Sequence, residues 1–223
     1  AVQVANRRVP RLHADLSHGA DLTSARPLRA NAGLSFQGMN LVGKGFRLEP
    51  AEVEALGFRL DALPPIIKPY LNAREMMQKR EGRYVIDAFG LTEAELKAEW
   101  PTAWQWLHDR VKPERELNNR ASYRDRWWLF GEARGALRAA WAGLGRFIMT
   151  PETSKHRVFA WAPMGVVPDH KLYAITAQEA WFMGVLQSSA HCGWATRAGG
   201  RLGVGNDPVY NNTRCFLTFP FPD

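Results

Sequence analysis

Cysteine is scarce in this chain: Cys192 and Cys215 are the only two among 223 residues. Two thiols cannot build a disulfide framework, and these lack the paired spacing of a zinc site, so both read as reduced, packed thiols of a cytoplasmic protein. No apolar run approaches the roughly 20 residues that a spanning helix needs, which excludes a transmembrane helix. The six histidines, His13, His18, His108, His156, His170 and His191, are scattered with no pair at helical ligand spacing, so no metal site is expected. The opening Ala1-Val2-Gln3-Val4 has neither an initiator Met nor the basic-then-apolar layout of a signal peptide, and reads as the interior of a longer protein.

Catalytic signatures are missing as well. Gly38-Met39-Asn40-Leu41-Val42-Gly43-Lys44-Gly45 is one residue short of a phosphate-binding P-loop, and Gly45 replaces the hydroxyl that would hold magnesium. Gly203-Val204-Gly205 begins like a dinucleotide fingerprint, but Pro208 takes the third glycine position. Leu63-Pro64-Pro65-Ile66 fails as an amino-methyltransferase signature, which needs a polar residue before the prolines and an aromatic after them to stack on a flipped base. No catalytic residue and no cofactor-binding residue is assigned, and the chain is not expected to be an enzyme on its own.

What the chain does have is arginine. Of 29 basic residues 22 are Arg, against 22 acidic residues, for a net charge of +7. The planar guanidinium fork matches phosphates and guanine edges bidentately, so this basicity favours a nucleic-acid partner over a diffuse solubility charge.

Along the chain, Val2 to Val9 reads as a strand-like segment, and Leu34 to Leu48 as two short strands joined by a glycine-containing turn. Pro50 starts a short helix that Gly57 ends. A brief helix runs from Asn72, and Arg83 to Asp87 forms a buried strand. Thr92 and Glu95 make a capping box, and Pro101 restarts the helix. A second helical block follows Trp128, with Leu129, Ala133, Ala136, Leu137, Ala140 and Trp141 on a core-facing stripe. Strands are predicted over 146–149, 157–161 and 171–175, a helix over 177–188, then a glycine-rich loop and a closing strand over 215–219. Helices and strands mix without a βαβ rhythm, so the class is α+β.

Several strings occur together in order: Phe36-Gln37-Gly38, Lys68-Pro69-Tyr70-Leu71-Asn72, Arg83-Tyr84-Val85-Ile86-Asp87, Trp127-Trp128-Leu129-Phe130-Gly131-Glu132, Ser154-Lys155-His156-Arg157, Tyr210-Asn211-Asn212 and Phe219-Pro220-Phe221-Pro222. Over about residues 33 to 222 the chain resembles the target-recognition region of MmeI-like (type IIG/IIL) restriction-modification adenine DNA methyltransferases. The resemblance implies a mixed β-sheet recognition domain over 33–223 with inserted and flanking helices. Residues 1–32 would then be a linker or the tail of an upstream methyltransferase domain. It also implies a bacterial parent enzyme, often fused to an endonuclease, that uses S-adenosylmethionine to methylate adenine in a short duplex site. The cofactor would belong to that parent rather than to this chain.

On that footing double-stranded DNA is the expected partner. Ser154, Lys155, His156 and Arg157, with Arg197, are candidate phosphate contacts, the alternative for the first four being an exposed basic turn. Arg201, Gly203, Gly205, Asn206, Asp207, Asn211, Asn212 and Arg214 are candidates for base readout, since Arg pairs with guanine, Asn with adenine, and Asp accepts from the cytosine amine. The resemblance places base discrimination just after Arg201-Leu202. Glycines at 203 and 205 leave that task to Asn206 and Asp207 or to backbone groups. Asn211 and Asn212 read equally as turn residues. Tyr70 and Asn72 are possible further contacts, Tyr70 reading equally as core. Two other classes stay open: a sequence-tolerant single-strand or RNA-binding module, and a structural domain contacting protein neighbours.

Overall fold

The computed structural model describes residues 2–4, 7–9, 22, 24–78, 81–204 and 207–222. The predicted segment over Val2 to Val9 is an antiparallel pair, β1 (Val2–Val4) with β2 (Arg7–Val9). The chain then lays down β3 (Ser35–Gln37), β4 (Arg47–Leu48), α1 (Pro50–Ala55), β5 (Ile67–Leu71), α2 (Ala73–Met77) and β6 (Tyr84–Ile86). Next come α3 (Glu93–Glu99), α4 (Pro101–Arg110), α5 (Lys112–Glu116), α6 (Ala121–Asp125) and α7 (Gly135–Ala140). The last third adds β7 (Arg146–Pro151), β8 (Ala160–Pro163), β9 (Val167–Pro168), β10 (Leu172–Ile175), α8 (Ala180–Gln187), α9 (Ser189–Ala198), β11 (Gly200–Leu202) and β12 (Asp207–Val209). A π-helical turn over Asn212–Phe216 follows. The class is α+β, as the sequence predicts, and no described helix is long and apolar enough to cross a membrane.

Two four-stranded sheets carry the structure, in the orders β3-β10-β7-β8 and β4-β6-β5-β9. The first is antiparallel throughout, and its two middle strands explain the architecture. Successive strand residues point to opposite faces. Phe147 and Met149 of β7, with Leu172 and Ala174 of β10, enter one core beside the second sheet and α4. Ile148, Tyr173 and Ile175 enter another, beneath α8, α9 and the π-turn. Both faces are covered, so Leu172–Ile175 is apolar without alternation and buried throughout. Each buried leucine, isoleucine, methionine or phenylalanine of these strands contributes roughly 1.5–3 kcal/mol by leaving water.

Local signals match where the chemistry is local. Thr92 accepts a hydrogen bond from the Glu95 amide at 3.2 Å, and the Glu95 carboxylate accepts from the Thr92 amide at 2.8 Å. Gly57 follows α1 with φ +86°, a conformation that suits a residue without Cβ. Arg138 on α7 holds the buried Asp87 carboxylate with two bonds of 2.8 and 3.0 Å, and Lys68 lies 3.2 Å away, which pins α7 to β5 and β6.

Four expectations are corrected. The strands over 34–48 do not form a hairpin: β3 pairs with β10 in one sheet and β4 with β6 in the other. The helix after Trp128 is confined to α7, because the Gly131 and Glu132 amides donate to the Leu41 and Asn40 carbonyls, Glu132 forming a bridge with Asn40, and Arg134 sits at φ +53°. Part of its stripe serves packing, with Leu137 fully buried and Leu129, Ala133 and Trp141 packed on the first core, whereas Ala136 is exposed. The strand over 157–161 starts three residues late, at Ala160, since Arg157 turns inward. The closing strand over 215–219 is replaced by the π-turn, which Asn211 initiates by accepting from the Thr213 and Arg214 amides at 3.0 and 3.3 Å.

Candidate nucleic-acid interface

The candidate surface is assembled at the end of the second core. Helix α9 starts at Ser188, whose hydroxyl accepts from the His191 amide at 3.2 Å. It buries His191 and Ala195 and presents Arg197 to solvent in its last turn. Gly199 then leaves the helix where no side chain fits: a Cβ there would overlap the Val209 carbonyl oxygen and lie 2.8 Å from that of Ala195. From this point β11 and β12 project as an antiparallel hairpin, with Arg201 opposite Pro208 and Leu202 opposite Asp207. Gly203 begins the turn at φ +81°, and Val204 beside it is fully exposed. The glycine-rich stretch that the sequence reads as a loop is therefore partly a β-ribbon.

The base of the ribbon is joined to the segment after β7. Val209 bridges Thr153, the Ser154 amide donates to the Pro208 carbonyl at 3.3 Å, and the Tyr210 amide donates to Glu152 at 2.6 Å. This brings two stretches some fifty residues apart in sequence onto one surface. Lys155 and His156 are exposed there. Ser154 is buried, and its hydroxyl donates to the His156 carbonyl at 2.8 Å. Arg157 points inward: its guanidinium donates to Thr150 Oγ1 at 2.9 Å, to the Pro151 carbonyl, and to the Pro208 carbonyl at 3.4 Å, and lies 5.0 Å from the Tyr210 ring centre. Burial pushes its pKa below the usual arginine value.

Arg197 and Arg214 come together in a cleft of about 310 Å³, lined also by Gly199, Thr213, Thr218, Leu22 and Ala25. Among the described residues no carboxylate side chain lines it. Thr213, Leu22 and Ala25 were not singled out from the sequence, because nothing local marks residues that become neighbours only when the termini of the domain meet. The meeting is direct: the Asn31 side-chain amide donates to the carbonyls of Phe216, Leu217 and Phe219 at 3.1, 3.1 and 2.8 Å.

The asparagines after the ribbon have local partners. Asn211 caps the π-turn, and Asn212 donates to the Ser35 carbonyl at 3.1 Å. Tyr70 and Asn72 lie elsewhere, in and beside β5. The Tyr70 hydroxyl donates to Asp169, and burial, then the Asp169 charge, pushes its pKa up. Asn72 caps α2 by accepting from the Glu75 amide at 2.9 Å. Gly205 and Asn206 lie outside the described residues.

Fold and surface together define an α+β domain that presents an arginine-bearing β-ribbon, rooted in a two-faced antiparallel sheet. The family model described as MmeI, target recognition domain, matches residues 23–223, and the chain belongs to that family. The fold is also that of a solved structure, the type IIL restriction-modification enzyme MmeI in complex with DNA, with a TM-score of 0.75 at 16% sequence identity. The similarity covers 96% of this chain and 28% of that one, so the chain spans under a third of the enzyme it resembles. No curated protein matches the chain.

Proposed function

We propose that this chain is the DNA-reading part of a restriction-modification enzyme, placing a short duplex site before a methyltransferase domain of the same protein that lies upstream. Its family membership supports this, as does the DNA held by the MmeI structure whose fold it shares. The observation that carries it is the ribbon with exposed Arg201 at its stem and Lys155, Arg197 and Arg214 around its root. A two-stranded ribbon fits the major groove, where arginine recognises guanine O6 and N7 and an aspartate accepts from the cytosine amine. Arg201 and Asp207 are assigned to bases, with Asn206 a further candidate. Lys155, Arg197 and Arg214 are assigned to phosphates, which fix register without carrying sequence information.

On this reading methylation of adenine belongs to the upstream domain. S-adenosylmethionine belongs there too. Gly200 and Gly203 do not fit it, because they lie on the β11–β12 hairpin and not at the strand-to-helix turn that cradles a nucleotide.

Selection of the chain against a randomised duplex pool, at low and at physiological salt, tests the reading. Enrichment of one short motif that survives the higher salt is the expected result. A preference for single strands, or binding that enriches nothing in either this chain or its full-length parent, would overturn it.

A further inference from the structure

From the geometry around Arg157 we infer that this residue is a positioning residue for the ribbon: an internal cationic strut that fixes the angle at which β11 and β12 leave the domain. The inference rests on the duplex-reading assignment for its purpose, but not for its structural content.

The argument starts from what holds the ribbon. Within the hairpin, backbone pairing covers three residues on each strand, and a two-stranded ribbon of that length is marginal on its own. Its orientation is therefore set at the root. Backbone bonds from Ser154 to Pro208 and from Tyr210 to Glu152, with the Val209–Thr153 bridge, join the root to the segment after β7, and two further features act beside them. Gly199 lets α9 meet β12 at backbone contact distance. Arg157 spans the other side, bonding the end of β7 through Thr150 Oγ1 and the Pro151 carbonyl, and β12 through the Pro208 carbonyl. Pro208 has no amide to give, so its carbonyl is the polar backbone group by which that residue can be tied. The guanidinium also stacks near the Tyr210 ring, whose hydroxyl meets His191 on α9.

Each of these partners is neutral. A cation taken from water without a counter-ion carries a desolvation cost that offsets its hydrogen bonds, so an apolar replacement of like size is expected to leave net stability near wild type. What the guanidinium supplies is direction. It has five donors in a rigid plane, enough to reach two segments at once, and a lysine ammonium has no such fork. The segment carrying Lys155 is tied to the ribbon by the same group, so the exposed lysine and Arg201 are held in one frame.

Arg157→Met, Arg157→Lys and Lys155→Gln separate this from a phosphate contact, with amide hydrogen exchange and salt-dependent duplex binding as readouts. In the first two variants, exchange at Leu202 and Val209 is expected to rise on the order of tenfold or more, while exchange in β10 and the unfolding midpoint stay near wild type. The salt slope of binding is expected to hold in Arg157→Met and to fall by about one in Lys155→Gln. Unchanged ribbon exchange in folded Arg157→Met overturns the strut. So does Arg157→Lys behaving as wild type, the outcome that a phosphate contact predicts. If Arg157→Met does not fold, Thr150→Val removes one acceptor and is expected to raise ribbon exchange in the same direction; no rise there also overturns it. Raised ribbon exchange in a chain that binds no duplex leaves the strut standing and removes the proposed function.

Discussion

At the scale of single residues, His191 shows how burial sets chemistry. Its ring is fully buried among Phe159, Tyr210, Phe219 and Phe221. Nδ1 lies 3.0 Å from the Leu186 carbonyl, which can only accept, so Nδ1 carries the hydrogen and Nε2 accepts from the Tyr210 hydroxyl at 3.3 Å. Both nitrogens are satisfied in the neutral form. Burial, with the Arg157 cation adding to it against the opposing effect of the Leu186 carbonyl, holds the pKa down at about 4. The unfolded chain takes up this proton near pH 6.5 and the folded chain does not, so the contribution is complete above pH 6.5 and falls away toward pH 4. The expected loss is about 3 kcal/mol. Urea denaturation between pH 7.5 and 4.5 checks it: His191→Phe should flatten the dependence, and equal slopes in both proteins would contradict the account. In the sequence His191 is one of six dispersed imidazoles, and nothing near it announces a buried site.

Between elements, glycines mark closest approach. A Cβ on Gly38 would overlap the Asp169 carbonyl oxygen and lie 2.6 Å from that of Pro168, where the chain passes from β3 toward the second sheet. Gly199 plays the same part between α9 and β12. Gly199→Ala is expected to destabilise by about 1–3 kcal/mol through overpacking, and to loosen the ribbon because α9 must back away from Val209. Thermal unfolding together with proteolysis in the 200–209 stretch would show both; an unchanged midpoint and cleavage rate would refute it. Many of the strings that carry the family resemblance turn out to be joints of this kind. Asp87 receives Arg138 and Lys68, Trp128 donates to the Leu91 carbonyl at 2.9 Å, and Asn212 ties the π-turn to β3. The capping box at Thr92 was legible because four consecutive residues, Thr92 to Glu95, contain all of it. The π-turn was not, because Cys215 and Phe216 are both buried by a core that α8 and α9 complete from elsewhere.

For the molecule as a whole, the net charge of +7 is a diffuse quantity, and the fold makes it local. Many arginines are committed internally: Arg115 is buried and donates to the Leu41 and Leu129 carbonyls at 2.9 and 2.8 Å, Arg138 pairs with Asp87, and Arg157 braces the ribbon. Lys155, Arg197 and Arg214 remain as exposed cations around the root. Replacing each by glutamine is expected to weaken binding to all duplexes and to lower the salt slope by about 0.9 per lost phosphate contact. Asp207→Ala should change which sequence is preferred, by roughly 1–3 kcal/mol at one base pair, with the slope held. Titration of a selected and a scrambled duplex over a salt series distinguishes the two behaviours. Equal effects from all four substitutions would dissolve the division between positioning and reading.

By itself the sequence determined the α+β class, the helices with local start and stop signals, the packing role of residues such as Leu137, and an arginine-rich composition. Those properties depend on residues a few positions apart, where backbone geometry and side-chain chemistry act directly. Tertiary structure decided which strands pair, that the 154–157 segment and the glycine-rich ribbon share a surface, and which arginines face solvent. Arg157 and Arg197 are the same residue type in similarly polar local sequence. Arg157 is drawn inward by Thr150 and Pro151 at the end of β7 together with Pro208 and Tyr210 about fifty residues on, while Arg197 faces a cleft lined by both ends of the domain.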